Sequence, residues 1–249
     1  MGGVTVDGCG AWHRAAVVFS LVAFVMGCRA PRSVDPAEER LAEGRVDHYV
    51  TAAKAKGKTS AFMACAYPNH REVVSMSDEL DNDSVFVGRE LGSAPQVMRD
   101  QTMIWTYYKF RIERDLSRSP IGEASADASL LRKEAPSSLL PVQANEILVG
   151  ISGGQINVDG VSVTYCDATP TFAEGQRYLL FVSLINDGKQ TLRIGTIQSV
   201  RAEAVYNMLP DGEHFEAAQP TKSRFQTELM ARSHGSLEEL AGISAALKQ

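Results

Sequence analysis

The sequence predicts a mainly β fold: a small barrel or sandwich of five to six strands, flanked by N- and C-terminal helices. Short runs rich in β-branched and aromatic residues follow one another at intervals of about 8–12 residues, with Gly, Pro, Asn and Asp between them. Helical periodicity and capping residues occur near both ends of the chain. We therefore expect a β domain over 62–206, with a helix before it and a helical segment over 207–249 after it.

The N-terminal helix is predicted over 36–57, because Asp35 can cap it, Pro36 suits its first position and Gly57 can end it. Its apolar residues form one stripe: Val46, Tyr49, Val50 and Ala53. The stripe can pack on the domain or lie on a bilayer, and its partly acidic polar face favours packing. At the other end, Ser236 and Glu239 form a capping box before a stripe of Leu237, Leu240, Ile243 and Leu247.

The clearest strand signal is an alternation over 103–116, which follows a β-rich run, SVFVGREL, at 84–91. The face predicted to point inward carries Ile104, Thr106, Tyr108, Phe110 and Ile112. Trp105 and Tyr107 lie together on the other face, where they could pack under another element or form an aromatic platform for a ligand. The Pro-rich stretch over 117–144 is predicted to be a loop insertion with one helical turn at 128–133.

The segment ISGGQINVDG, 151–160, has two interpretations, a phosphate-binding loop or a hairpin. A phosphate loop needs glycines directly before a helix, together with a lysine at the P-loop spacing. Alternating β-branched residues follow Gly160 instead, so a hairpin closed by Asp159 and Gly160 is predicted. Farther on, RYLLFVSLI at 177–185 predicts a central strand buried on both faces, followed by a hairpin turn at 186–188.

The N-terminus indicates export from the cytoplasm. An apolar run over 15–27 follows Arg14 and is shorter than the roughly 20 residues that span a bilayer, as in a signal peptide over 1–27. The residues VMGC before and at Cys28 resemble a bacterial lipobox, which predicts lipidation of Cys28 and a tether over 28–35. We expect a membrane-anchored lipoprotein in the periplasm or at the cell surface, with an ordinary signal peptide or an uncleaved anchor as alternatives.

Two cysteines, Cys65 and Cys166, remain in the body of the chain. An even pair in an oxidising compartment predicts a disulfide between them. Two free thiols or a metal site are the alternatives, and no C-x-x-C or H-x-x-x-H spacing supports a metal. No cofactor is predicted.

Charge and motifs exclude several kinds of function. The net charge is −5 and lysines and arginines are interspersed with acids along the chain, so no basic patch and no nucleic-acid partner are predicted. No catalytic motif surrounds His48, His214 or His234, and the acidic run over 78–83 lacks the calcium-loop pattern. We expect a non-enzymatic protein that binds a protein, peptide or glycan. The alternatives are a hydrolase-like enzyme using His70 with acids near Asp78, and a purely structural envelope component.

Several segments resemble a group of secreted bacterial proteins of unassigned function: SVFVGREL, YYKFRIERDL and GGQINVDGVSVTYCDATPTFAEGQRYLLFV. The order of elements, with Cys65 just before the first strand, is also similar to netrin-like and TIMP-like OB barrels. The resemblance to the secreted bacterial proteins covers about half the chain, from Cys65 to Val200. The similarity to netrin-like and TIMP-like barrels implies a five-stranded OB-like barrel in which Cys65 ties down the N-terminal segment. The inhibitors of that family chelate zinc through a C-x-C pattern, which CAY replaces at Cys65.

Overall fold

The computed structural model describes residues 44–63, 83–166, 170–197, 204–220 and 223–246, together with Met76 and Leu80. All of them belong to one compact unit, Pro36–Gln249. Within these ranges the fold is mainly β, as predicted, with ten strands in two sheets and four α-helices. The expected count of five to six strands was too low, because several strands of three to five residues are too short to produce a clear periodicity.

The helices are α1 Val46–Ala55, α2 Ala128–Glu134, α3 Arg224–Ser233 and α4 Leu237–Ala246. The first five strands are β1 Ser60–Met63, β2 Ser84–Val97, β3 Ile104–Asp115, β4 Glu146–Ser152 and β5 Gly154–Val158. The remaining strands are β6 Val161–Tyr165, β7 Arg177–Asn186, β8 Thr191–Ile197, β9 Val205–Met208 and β10 Phe215–Ala217.

Seven strands form the larger sheet, in the order β10-β9-β7-β2-β3-β4-β8. All neighbours are antiparallel except β4 and β8, which run parallel. The second half of β7 also pairs with β8, since Ser183 lies opposite Thr196 and Asn186 lies opposite Thr191. The strands β2, β3, β4, β8 and β7 therefore form a closed circuit of pairings, and β9 and β10 extend outward from the first half of β7.

The predicted central strand is confirmed in β7. Its residues Tyr178 to Val182 are buried in succession. On one side of the sheet, the Phe181 ring packs edge-on against Phe225 of α3, with ring centroids 5.1 Å apart. On the other side, the Tyr178 ring packs edge-on against Phe172, at 4.9 Å. A continuous apolar run is required here because both faces of the strand are covered.

The predicted hairpin at 151–160 is confirmed as the β5–β6 hairpin of a second sheet, whose order is β1-β6-β5. Asp159 and Gly160 form its turn with φ of 51° and 81°, the left-handed conformation that a two-residue hairpin turn requires. Gly153 and Gly154 have a different role, because the chain passes there from β4 in the large sheet to β5 in the small one. A Cβ atom on Gly154 would clash with Thr106 Oγ1, so a side chain cannot replace this glycine without local movement.

The helix α1 lies within the predicted range 36–57, of which residues 36–43 are outside the described part of the chain. Val46, Val50 and Ala53 of the predicted stripe are buried, and Tyr49 is partly buried against the same cluster. That cluster also contains Val163 and other apolar residues of the small sheet. The stripe therefore packs on the protein rather than facing a bilayer.

The insertion over 117–144 is more ordered than a loop. It contains α2 at the predicted helical turn, together with 3-10 turns at Ile121–Glu123 and Ser137–Leu139. The Asp127 carboxylate caps α2 by accepting a hydrogen bond from the Ser129 backbone N–H at 2.7 Å. The guanidinium of Arg193 on β8 binds this insertion through four backbone carbonyls: Gly122, Ala124, Gln143 and Ala144.

The C-terminal segment over 207–249 is only partly helical. It includes β10, which pairs with β9, and the helix α3 that the sequence did not indicate. Three residues of the predicted stripe lie in α4, where Leu237 and Leu240 are buried and Ile243 packs partly against the core. The fourth, Leu247, lies outside the described residues. A three-residue strand and a helix with mixed polar and apolar residues leave no strong periodic signal.

A buried acid lies inside the larger core. Glu90 of β2 is 2% exposed, and its Oε2 atom has no hydrogen-bond partner among the described residues. It lies opposite Phe110, in a part of the core where Phe110, Tyr178 and Phe172 pack edge-on against one another. Burial raises the pKa of Glu90 above its usual range, and the nearby charge of Glu174 raises it further.

The raised pKa of Glu90 predicts that the stability of the fold depends on pH. Because the pKa of Glu90 is higher in the folded than in the unfolded state, its ionisation destabilises the fold as pH rises above the unfolded value. We expect Glu90→Gln to raise Tm relative to the natural protein at pH 8, and to change it little near pH 4, where the carboxyl is protonated in both states. Thermal unfolding from pH 4 to 8 measures this difference. Glu216→Gln, at an exposed position of β10, is the matched control, and a Tm difference for Glu90→Gln that does not grow with pH would contradict the prediction.

Candidate ligand-binding surface

The aromatic pair predicted as a possible platform is covered by the insertion. Tyr107 is 2% exposed and belongs to an apolar cluster with Leu131 of α2 and Leu139 of the second 3-10 turn. Burial raises the pKa of Tyr107 to about 12, with a smaller contribution from the charge of Glu134. Trp105 packs partly against the same cluster, its ring centroid 6.3 Å from that of Tyr107. These rings are therefore packing elements, and Tyr107 presents no open face to a ligand.

Three arginines lie side by side across the large sheet. Arg89 of β2 is opposite Arg111 of β3 on one side and opposite Arg177 of β7 on the other. Side chains at paired positions project from the same face of a sheet, and neighbouring strands are about 4.8 Å apart. The next residues along two of these strands, Glu90 and Tyr178, point into the core, so the arginines project from the opposite face. Farther along β7 that face is covered, where Phe181 packs against Phe225 of α3. We call Arg89, Arg111 and Arg177 the arginine row.

One carboxylate links two members of the row. Glu113 accepts a hydrogen bond from Arg89 Nε at 2.9 Å and another from Arg177 Nε at 2.6 Å. Arg89 Nη1 also donates to the Gly175 carbonyl at 2.9 Å. Arg111 is exposed and makes no ion pair with any other residue that the structure describes. The side chains of Arg89 and Arg177 are 41% and 29% exposed, so they remain accessible to a ligand.

The arginine row carries more positive charge than its surroundings neutralise. Like charges at directly opposed positions of a sheet repel each other, and the Glu113 carboxylate pairs with only two of the three guanidinium groups, those of Arg89 and Arg177. Glu146 lies opposite Arg111 in the register of β3 and β4, but its carboxylate is paired with Lys109. The nearby acid Glu213 is paired with Arg114, at 3.7 Å. The row is therefore a local cationic surface on a chain whose net charge is −5.

The expectation that no basic patch exists is wrong at this surface. Positions 89, 111 and 177 are far apart in the chain, and acids lie near each of them in the sequence. The strand register brings the three together, and a single sequence without known pairings contains no information on that register. The expectation that the chain binds no nucleic acid stays a prediction.

A lysine beside the row has a structural role instead. Lys109 Nζ lies 2.9 Å from Glu146 Oε2 and donates to the Pro141 carbonyl at 2.8 Å. The side chains of Lys109 and Glu146 are only 18% and 4% exposed, and Glu146 also accepts a hydrogen bond from the Gln143 backbone N–H. This buried ion pair therefore holds the end of the insertion against β3 and β4.

The described histidines are not brought together. His48 is exposed on α1, His214 contacts Asp211 through Nδ1 at 2.8 Å, and His234 ends α3 in a left-handed conformation. In the part of the chain that the structure describes, no group of three or more His, Cys, Asp or Glu side chains is arranged to hold a metal ion. His70 and Asp78, the residues of the alternative enzyme hypothesis, lie outside the described ranges.

Of the four cysteines, Cys166 lies in the part of the chain that the structure describes. Cys166 follows β6 and is disulfide-bonded. Cys28 and Cys65 lie outside the described residues, so the pairing of Cys65 with Cys166 and the lipidation of Cys28 stay predictions. Among the described helices, none combines the length and apolarity needed to cross a membrane.

No protein-family model matches this chain, and no curated protein matches it either. The resemblance to netrin-like and TIMP-like barrels therefore stays an expectation.

Proposed function

We propose that this protein is a non-enzymatic binding protein that acts outside the cytoplasm, anchored to a bacterial membrane through lipid on Cys28. Its ligand is an anionic protein, peptide or glycan, which the arginine row binds. The observation that carries the proposal is the row itself: three arginines lie at opposed positions, one carboxylate pairs with two of them, and all three are at least partly exposed.

The arginine row destabilises the folded sheet, and a bound ligand can offset this loss of stability. Repulsion between opposed guanidinium groups destabilises the folded sheet, and Glu113 compensates for only part of it. A bound anion forms charge-assisted hydrogen bonds with these groups, and arginine is well suited to them because its planar fork matches carboxylate and phosphate geometry. The arrangement is therefore typical of a surface that recognises an anion.

The fold supports a binding role. A circuit of five strands is consistent with an OB-type barrel, a partly open five-stranded Greek-key architecture that carries ligand sites on its surface. We propose this assignment for β2, β3, β4, β8 and β7. Such a rigid sheet holds the three arginines at defined positions.

The anchor supports the proposed location. The apolar run over 15–27 and the lipobox-like VMGC ending at Cys28 are the features expected of an exported lipoprotein. Lipid chains gain about 0.8 kcal/mol for each buried methylene, so multiple acylation holds a protein firmly at a membrane surface. The β domain is then presented to the extracytoplasmic space.

Two substitutions in the full chain test the lipid anchor and the binding surface separately. We expect Cys28→Ala to move the protein from the membrane fraction to the soluble extracytoplasmic fraction, because the lipid attachment site is lost. We expect Arg111→Glu to weaken retention on immobilised polyanions at low ionic strength by about tenfold, since it reverses a charge in the row. The purified chain in neutral detergent is applied to polygalacturonate, poly-L-glutamate and uncharged dextran.

Arg132→Glu, at an exposed position of α2, is the matched control for the binding measurement. It changes the net charge by the same amount and should leave retention close to that of the natural chain. Equal retention of the natural chain on charged and uncharged matrices would overturn the binding proposal. A Cys28→Ala protein that stays in the membrane fraction would overturn the lipid anchor.

A further inference from the structure

We infer that the domain docks on the anionic bilayer that carries its anchor, through a surface formed by Lys56, Lys58 and Phe62. We call these three residues the lysine surface. The inference rests on the lipid anchor of the proposed function and adds the face of the domain that meets the membrane. This face is separate from the arginine row, whose residues belong to β2, β3 and β7.

The lysine surface lies where α1 meets the small sheet. A hollow of about 270 Å³ lies between the end of α1 and β1, and all three residues line it. Gly57 ends α1 in the left-handed conformation, with φ of 63°, and the Lys58 backbone N–H donates to the Ala53 carbonyl at 2.9 Å. This turn therefore places two cations beside one aromatic ring on a single surface.

Phe62 exposes an aromatic ring that the core does not use. Its side chain is 63% exposed, and it is the one large apolar side chain that is exposed in the described part of the chain. The next residue, Met63, is buried beneath the small sheet, so alternation along β1 directs Phe62 to the opposite face. Single exposed apolar residues are common on soluble proteins, so the charges beside the ring decide its interpretation.

The lysines give this surface a positive charge that the protein does not neutralise. Lys56 and Lys58 are exposed, and neither forms an ion pair with another residue that the structure describes. Lys54, by contrast, is paired with Asp159 at 3.3 Å. The dipole of α1 favours cations at its C-terminus, but it does not account for the exposed ring. Lysines that meet lipid phosphates beside a ring that enters the acyl boundary are typical of a membrane-binding surface.

The tether brings this end of the domain to the bilayer. The first described helix, α1, begins at Val46, which is 18 positions after Cys28. A fully extended chain of that length spans at most about 60 Å. Lipid on Cys28 therefore holds the lysine surface close to phospholipid headgroups at a high effective concentration, where modest contacts are sufficient for docking. The bilayer is for this reason the anionic partner that the surface meets first.

The test measures whether residue 62 enters the bilayer. The full chain, purified in neutral detergent, is reconstituted into vesicles of phosphatidylcholine alone or of phosphatidylcholine and phosphatidylglycerol in equal parts. Phe62→Trp supplies a fluorescent ring that brominated lipids quench on contact, and the emission of the natural chain is subtracted. We expect strong quenching only with phosphatidylglycerol. Adding Lys56→Gln and Lys58→Gln should weaken docking at least about tenfold, since each basic side chain contributes about fivefold at an anionic surface.

Two controls separate docking from general effects. Gln190→Trp, exposed in the turn between β7 and β8, should be quenched to the same small extent in both kinds of vesicle. Lys133→Gln with Lys189→Gln removes the same charge at exposed positions elsewhere and should leave quenching at residue 62 unchanged. Quenching at residue 62 that is absent, equal in both vesicles or insensitive to the lysine substitutions would overturn the inference and leave anion binding by the arginine row intact. A natural chain that associates with neither kind of vesicle would overturn the inference together with the lipid anchor.

Discussion

Replacing Arg193 with methionine is expected to lower the free energy of unfolding by about 3–5 kcal/mol. The Arg193 side chain is buried, at 6% exposure, and donates through Nε, Nη1 and Nη2 to backbone carbonyls of the insertion. Methionine fills much of the same volume but leaves these buried acceptors without donors, each at a cost of about 1–3 kcal/mol when water cannot reach it. Denaturant unfolding followed by circular dichroism measures the change.

The loss of stability in Arg193→Met should be greatest in the insertion over 117–144. Because Arg193 ties both ends of the insertion to β8, limited proteolysis of Arg193→Met is expected to cut within 117–144 before the rest of the domain. Arg111→Met, at an exposed arginine of β3, is the matched control and should change stability by less than about 0.5 kcal/mol. Equal midpoints for Arg193→Met and the natural chain would show that the carbonyl contacts do not hold the insertion.

The second large effect is expected at Lys109. In Lys109→Met the Glu146 carboxylate stays buried and loses its cation, which typically destabilises a protein by about 3–5 kcal/mol. The Pro141 carbonyl loses its donor at the same time. The free energy of unfolding from urea titration at pH 7 gives the size of the loss.

A second substitution separates the buried charge from simple loss of packing. Glu146→Leu added to Lys109→Met removes the unpaired carboxylate, and should recover at least half of the stability lost, since apolar pairs often replace buried ion pairs at little cost. A double variant as unstable as Lys109→Met alone would indicate that the lost contacts to the insertion backbone dominate. Lys109 and Arg193 hold the same insertion, so their effects are not expected to be additive.

Local patterns in the sequence were sufficient for much of the fold. The Asp159-Gly160 turn, the alternation through Tyr108 and Phe110, and the apolar stripe of α1 all appear in the structure as predicted. Each depends on residues a few positions apart, whose spacing directly reflects a strand or helix period. The short strand β10 has no such pattern, because its pairing with β9 and not its composition makes it a strand.

The candidate site could not be predicted in the same way. Arg89, Arg111 and Arg177 become neighbours only through the pairing of β2 with β3 and β7. The burial of Trp105 and Tyr107 also depends on a distant segment, the insertion that covers Tyr107. The sequence predicts a loop for this insertion, so it does not indicate that the rings are covered. The register between strands decides which side chains become neighbours on the surface of a sheet. That register is set by two segments together and cannot be read from either segment alone.

The closed circuit of strand pairings also bears on self-association. The strands that end the two described sheets are short: β10 in the large sheet and β1 and β5 in the small one have three, four and five residues. Within the circuit, β2 pairs with β7 only over its first half, and over 92–97 it pairs with β3 alone among the described strands. Long, flat edge strands are the usual templates for aggregation between chains, and short ones offer too few hydrogen bonds for stable pairing. The short edges of β10, β1 and β5 therefore offer little template for edge-to-edge association between copies of the chain.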